Sequence, residues 1–239
     1  MSNSPVYIIH GWTAAKETKT KWQPFIDLLV EQGFAVTFLA LPGLLKPLEE
    51  SWNLDQYVEW VHGKVKKDKP VILIGHSFGG QVATRLSYLY PKDVSRLVLI
   101  DSSGIPDARW TSWLKRRVFL YLAKLGKPFA SNPALRNIFY KFVGERDYYK
   151  ATPAQRKTMQ RVIRTDLRSI APAVHQQVLI VWGEHDQTTP LAMGQTFLQL
   201  LPQSTLHIIA GARHSPQYTH VAEVVEAIGQ WLRLLGERE

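Results

Sequence analysis

Six short apolar runs rich in β-branched residues recur along the chain, at 6–9, 34–40, 71–75, 96–100, 178–182 and 206–209. Most read as buried strands. Between them lie stretches of helical periodicity, clearest where Leu54, Tyr57, Val58, Val61 and Val65 fall on one helical face. The segment after Pro190 and the stretch from about 219 to 235, with Val221, Val224, Val225, Ile228, Leu232 and Leu235, have the same character. A parallel strand pair needs a crossover of about a dozen residues or more, and such crossovers are right-handed. Strand alternating with helix therefore predicts an α/β fold: a parallel sheet of about six strands with helices on both faces.

Only 105–170 breaks this rhythm. It holds no convincing strand, and Pro106, Pro128, Pro133 and Pro153 mark helix boundaries within it. The expected organisation is a core domain formed by 1–104 and 171–239, with 105–170 inserted as a helical cap. A chain of 239 residues accommodates one large α/β domain with an insertion, whereas two independent domains would be cramped. Within the cap, 110–117 and 155–168 read as amphipathic helices.

The net charge of +9 is carried by the same insert. Between 105 and 170 there are 15 basic and 4 acidic residues, a net +11, against 14 and 16 elsewhere. A solvated helical surface is the simplest reading, with the cap's aromatic residues as its packing. Attraction of an anionic substrate or a membrane face is a secondary one. No nucleic-acid motif accompanies the charge, so no nucleic-acid partner is expected. The chain has no cysteine, which excludes disulfides, thiolate metal sites, iron–sulfur clusters and a cysteine nucleophile. No apolar run approaches the roughly 20 residues of a membrane span. The first residues also lack a basic start followed by a long apolar stretch, so the expected location is cytoplasmic.

The most informative string is Val71-Ile-Leu-Ile-Gly75-His-Ser77-Phe-Gly79-Gly80, a strand running into G-x-S-x-G and then into the helical pattern of 81–90. A sharp strand-to-helix turn projects its serine into open space and requires small residues at Gly75 and Gly79. The following helix aims its first amides and positive dipole end at the same point, where an oxyanion would develop. The plain alternative is a tight turn whose serine caps the helix.

On these residues the chain resembles the α/β-hydrolase superfamily of serine esterases, lipases and related hydrolases. Four strings in the expected order carry the resemblance: His10-Gly11-Trp12 after the first strand, Gly75 to Gly80, Trp182-Gly-Glu-His-Asp186 after the fifth, and Gly211-Ala-Arg-His214 after the sixth. Two features differ from the common family pattern. The first strand lies at the very start, leaving room for only six strands, and Leu39-Ala-Leu-Pro-Gly43-Leu-Leu replaces an acidic, Gly-rich turn after the second.

Serine needs an imidazole to take its proton, and His214 is favoured because its loop follows a strand at the sheet's carboxyl edge. His76 is adjacent to Ser77 in sequence, His207 lies within a strand, and His62, His175 and His220 read as surface or packing residues. The imidazole in turn needs a carboxylate. Asp186 suits the order Ser77, Asp186, His214 implied by the resemblance. Asp101, ending the strand after the elbow, is the alternative, since some family members supply the acid from there. Glu184 reads as a solvated neighbour, and three adjacent residues such as Glu184, His185 and Asp186 rarely converge on one metal ion. The resemblance further implies an oxyanion hole made by the amides of Trp12 and Phe78, with His10 and Gly11 shaping the first loop. It implies no cofactor and no metal.

The expected chemistry is acyl transfer to water through an acyl-enzyme on Ser77. Its substrate would be a small ester, apolar or aromatic, with room for an anionic group. A C–C bond hydrolase acting on vinylogous diketones, a thioesterase or an amidase would use the same residues. An aspartate-dependent epoxide hydrolase or dehalogenase would not. Outside enzymes, the alternative is a ligand receptor or scaffold of the same fold.

Overall fold

The computed structural model describes residues 4–13, 17–106 and 152–236. Its elements, in chain order, are β1 (Val6–Ile9), α1 (Thr18–Glu31), β2 (Val36–Leu39), α2 (Leu54–Val65), β3 (Val71–His76), α3 (Phe78–Leu89) and β4 (Val94–Ile100). These are followed by α4 (Pro153–Val162), β5 (Gln177–Gly183), α5 (Leu191–Leu200), β6 (Ser204–Ile209), the one-turn α6 (Pro216–Thr219) and α7 (Val221–Gly236).

The six strands form one sheet in the order β2-β1-β3-β4-β5-β6, with every pair parallel. Alternate residues of each strand feed opposite faces, as a period of two requires. Ile9, Leu73, Leu97, Leu99, Ile180 and Trp182 meet α2, α3 and α5 on one side. On the other, Ile8, Ile72, Ile74, Val98, Ile100 and Val181 meet Trp22, Phe25 and Leu29 of α1 and Val224, Val225 and Ile228 of α7. Each such aliphatic or Phe side chain, fully buried, contributes roughly 1.5–3 kcal/mol. This is the doubly covered sheet expected from the alternation of strand and helix.

Differences from the expected boundaries have local causes. β2 begins at Val36 because the amides of Gly33 and Phe34 close the end of α1 onto Val30 and Leu29. β6 starts earlier than its apolar run, since Ser204 and Thr205 pair with Val178 and Leu179 although their side chains are polar. The C-terminal helix is broken at His220, which ends α6 and is not helical (φ −132°).

The helix expected over 155–168 runs from Pro153 to Val162. Pro153 opens it behind a reciprocal cap between Thr152 and Gln155. The chain then turns at Arg164 and Thr165, and the Leu167 amide bonds the Gly104 carbonyl at 2.8 Å. Val162, Leu167 and Ile170, with Ile105, are buried in the apolar cluster of the sheet. The described residues on both sides of 107–151 thus include side chains bedded in the core. The helix expected at 110–117 lies outside the described residues.

α4 is also tied to the loop between β2 and α2. The hydroxyl of Thr158, itself buried, accepts from the Trp52 amide at 2.9 Å, Gln155 Nε2 donates to the Gly43 carbonyl, and Arg161 Nη1 donates to the Ser51 carbonyl at 3.0 Å.

Candidate active site

Ser77, Asp101, Asp186 and His214, with the loop of His10, Gly11 and Trp12, sit at or just beyond the carboxyl ends of strands, where crossovers of a parallel sheet leave a crevice. At the end of β3, Ser77 has φ 52°, a left-handed conformation rare for a residue with a Cβ. Its side chain makes no capping bond to α3. It is therefore not the plain cap considered above. The turn is sterically tight: a Cβ on Gly79 would lie 1.9 Å from the Ile9 carbonyl oxygen, and one on Gly75 would lie 2.6 Å from the Gly79 carbonyl oxygen.

Ser77 Oγ lies 3.1 Å from His214 Nε2, and His214 Nδ1 lies 2.8 Å from Asp186 Oδ2. Asp186 is well supplied with donors. Its Oδ1 accepts from the amides of Thr188 (2.7 Å) and Thr189 (3.0 Å), and its Oδ2 also accepts from the Thr189 hydroxyl (2.6 Å). Burial works to raise this carboxyl, but the bonds from His214 and Thr189 and the interaction with the imidazole outweigh it and hold it below the usual carboxylate range. An anion facing Nδ1 fixes the tautomer with the proton there, leaving the Nε2 lone pair toward Ser77.

The loops carrying this histidine and aspartate are stitched together. The Glu184 amide bonds the Ile209 carbonyl, the His185 amide bonds the Ala212 carbonyl at 2.8 Å, and Gly211 N donates to Glu184 Oε2 at 2.8 Å. Glu184 is exposed, as expected of a solvated neighbour, yet it also clamps the turn before His214. His76 cannot serve as base. Its Nε2–H donates to the His214 backbone carbonyl at 3.0 Å, and burial, with His214 nearby, pushes it down to about 3, so it is a neutral strut for that loop.

On the other side, β1 leads to His10, Gly11 and Trp12. His10 is fully buried: its Nδ1–H donates to the Gly11 carbonyl (2.7 Å) and its Nε2 accepts from the Leu41 amide (3.1 Å). Burial pushes it down to about 4, keeping it neutral as those two bonds require. Gly11 packs against the elbow, where a Cβ would lie 2.8 Å from His76 Nδ1 and 3.0 Å from Ser77 Cβ. Phe78 is the first residue of α3, so its amide has no partner within the helix. The Phe78 ring packs edge-on against Trp12 (6.1 Å) and Tyr57 (5.0 Å), and Tyr57 against Trp52 (5.1 Å), forming an aromatic wall that runs toward the loop holding α4.

Asp101 is brought close without joining the hydrogen-bonded chain. It is fully buried with φ 44°, and its Oδ1 accepts from Gly183 N at 2.8 Å. Among the described residues, His76, Asp101 and His214 place potential ligand atoms within 4.8 Å of one another. Both His214 nitrogens face Ser77 and Asp186, and His76 Nε2 holds a carbonyl, so the donor set does not fit a metal ion. Of the adjacent Glu184 and Asp186, the first is engaged by the Gly211 amide and the second by His214.

Thr189 and the role of His76 are absent from the sequence reading. A trace existed for Thr189: a carboxylate followed two and three residues later by Thr-Thr-Pro is the pattern in which Asp caps the next two amides. The strut from His76 has no sequence signal, because it joins residues 138 apart.

Comparison with known proteins agrees with this architecture. The model of the alpha/beta hydrolase family matches residues 6–227. The chain is similar to 2-hydroxymuconate semialdehyde hydrolase of a Pseudomonas species (23% identical, covering 95% of this chain and 86% of that protein). It is also similar to pimeloyl-[acyl-carrier protein] methyl ester esterase of Shewanella woodyi (26% identical, covering 94% and 92%). A biotin biosynthesis bifunctional protein of Teredinibacter turnerae is 24% identical over 97% of this chain, which spans only 45% of that longer protein. Among solved structures, bromoperoxidase from Bacillus anthracis superposes with a TM-score of 0.72 at 21% identity, covering 97% of this chain and 92% of that one. The protein belongs to the alpha/beta hydrolase family.

Proposed function

We propose that this protein is a serine hydrolase that cleaves a carboxylic ester by way of an acyl-enzyme on Ser77. The observation that carries this reading is the chain Ser77 Oγ–His214 Nε2 (3.1 Å) and His214 Nδ1–Asp186 Oδ2 (2.8 Å) at a left-handed elbow. His214 takes the Ser77 proton as Oγ adds to the ester carbonyl carbon. The negative charge on the carbonyl oxygen is met by the amides of Trp12 and Phe78 at the positive end of α3. His214 then gives the proton to the departing alcohol, and the carbon–oxygen bond breaks. A water, deprotonated by His214, resolves the acyl-enzyme in the same two stages and restores Ser77.

The aromatic residues Trp12, Phe78, Tyr57 and Trp52 support a small apolar or aromatic substrate. The basic composition of the insert leaves room for an anionic group on it. In this reading 1–104 and 171–239 form the catalytic core and 105–170 a cap over the site. No cofactor takes part, and no nucleic acid is a partner. No helix among the described residues is long and apolar enough to cross a membrane.

A second reading, hydrolysis of a C–C bond in a vinylogous diketone, is favoured by the likeness to 2-hydroxymuconate semialdehyde hydrolase and would use the same side chains. The test is intact-mass spectrometry after a fluorophosphonate probe, on wild type, Ser77→Ala and His214→Ala, followed by p-nitrophenyl esters of increasing chain length beside a vinylogous diketone. One adduct per chain in wild type alone, with faster ester turnover, is the expected result. No adduct in wild type would place the receptor or scaffold alternative ahead, and faster diketone cleavage would favour the second reading.

A further inference from the structure

Asp101 is the buried acid that this acyl-transfer scheme leaves unused. Its Oδ1 has one donor, the Gly183 amide, and its Oδ2 has no hydrogen-bond partner among the described residues. Asp186, by contrast, receives two amides, a hydroxyl and the His214 imidazole. Thr189 Oγ1 bridges the Asp101 main chain and the Asp186 carboxylate, 3.1 Å from the Asp101 backbone carbonyl oxygen and 2.6 Å from Asp186 Oδ2. The titratable groups facing Asp101 are His76 from β3, Asp186 from the loop after β5 and His214 from the loop after β6. An ionised carboxylate with an oxygen that no protein group donates to is costly in a buried site, whereas a carboxylic acid leaves only an uncharged hydroxyl there. Two neighbouring buried carboxyls also resist ionising together, so a proton resides on the one with fewer donors.

We propose that Asp101 and Asp186 share one proton behind His214, carried by Asp101, and that Asp101 ionises to become the acid facing His214 when the Asp186 carboxylate is removed. This inference rests on the triad reading above. The titration directions are in accord: burial and the Asp186 charge push Asp101 up to about 8 against the opposing Gly183 amide, while His76 stays neutral. Removing Asp186 removes the repelling charge, so Asp101 releases its proton to solvent at lower pH. Its carboxylate, within 4.8 Å of a His214 ring nitrogen, then stabilises the imidazolium that forms when His214 takes the Ser77 proton. The Thr189 hydroxyl, 3.2 Å from His214 Nδ1, is placed to accept a hydrogen bond from Nδ1–H in that variant.

The experiment is a double-mutant cycle on the full chain, with fluorophosphonate labelling rate read from pH 5 to 9 for wild type, Asp101→Asn, Asp186→Ala and the double variant. Alanine is chosen because an asparagine amide would donate to Nδ1 and enforce the wrong tautomer. The expected result is strong non-additivity: the factor lost on Asp101→Asn is at least about tenfold larger in the Asp186→Ala background than in wild type. The labelling rate of Asp186→Ala should also rise more steeply with pH below 8 than that of the double variant, since only the first carries an Asp101 that ionises. Infrared spectra at pH 6, recorded on Ser77→Ala protein with and without Asp101→Asn, should contain a protonated-carboxyl band that the second substitution removes. That readout needs no turnover, so it stands even if Asp186→Ala fails to fold. Equal factors in both backgrounds, or no protonated-carboxyl band, would overturn the proposal. Absence of labelling in wild type with the band present would instead sink the triad reading.

Discussion

Replacing Asp101 by asparagine should flatten the pH dependence of stability, by an amount that follows from its surroundings. The folded protein holds the Asp101 proton up to about pH 8, whereas an unfolded aspartate releases it near 3.9. Between those values the native state binds one proton more than the unfolded state, so stability falls as pH rises, by about 1.4 kcal/mol per unit. Below the unfolded value both states are protonated, and above about 8 both are ionised, so the effect is confined to that window. The substituted amide would keep the Gly183 N bond through its own carbonyl oxygen and carry no titrating proton. From pH 5 to pH 7 wild type should therefore lose roughly 3 kcal/mol relative to Asp101→Asn. For a chain of this size that is a relative shift of roughly 5–10 °C in melting temperature.

Asp186, held low, contributes in the opposite sense, with stability lost as pH falls through its own acid range. It is present in both proteins and largely cancels in the difference. Urea unfolding at pH 5, 6 and 7, followed by circular dichroism, measures the quantity directly. Parallel stability curves for the two proteins would refute the assignment of a proton to Asp101.

Gly79→Ala places a Cβ 1.9 Å from the Ile9 carbonyl oxygen, which is backbone and cannot yield cheaply, so thermal unfolding should show a loss of about 3 kcal/mol or more. Thr158→Val removes the acceptor of the Trp52 amide, and urea denaturation should report a cost of about 1–3 kcal/mol for the stranded donor. Thr189→Val deletes the hydroxyl bond to Asp186 Oδ2 and leaves the two loop amides in place; fluorophosphonate labelling should slow by about tenfold, with the midpoint of unfolding changed far less than the rate.

What was legible in the sequence was local. Strands announce themselves through continuous apolar runs such as 71–74 and 97–100 because a parallel sheet covered on both faces buries its central residues, and α2 is readable because one face must be apolar. The elbow could be read because G-x-S-x-G between strand and helix satisfies steric demands set within a few residues. Ser77, Asp186 and His214 could be put forward from their loops at strand ends, since a parallel sheet collects those loops along one edge. Edge and boundary residues were less legible: Ser204 and Thr205 join a ladder through backbone atoms, which their side chains do not reveal.

What only the tertiary structure decided depends on groups far apart in the chain. The choice of which carboxyl meets the imidazole is one example: Asp101 and Asp186 both follow strands, and the distance of 2.8 Å to His214 belongs to Asp186 because Thr188 and Thr189 turn that carboxylate toward the ring. The neutral state of His76 and His10 is another, imposed by burial and by partners 138 and 31 residues away. The same holds for the seat of α4 on the loop after β2. A sequence pattern records which face of an element must be dry, while the direction of a side chain, the partner of a proton and the charge of a buried acid are set by the field of every element packed around it.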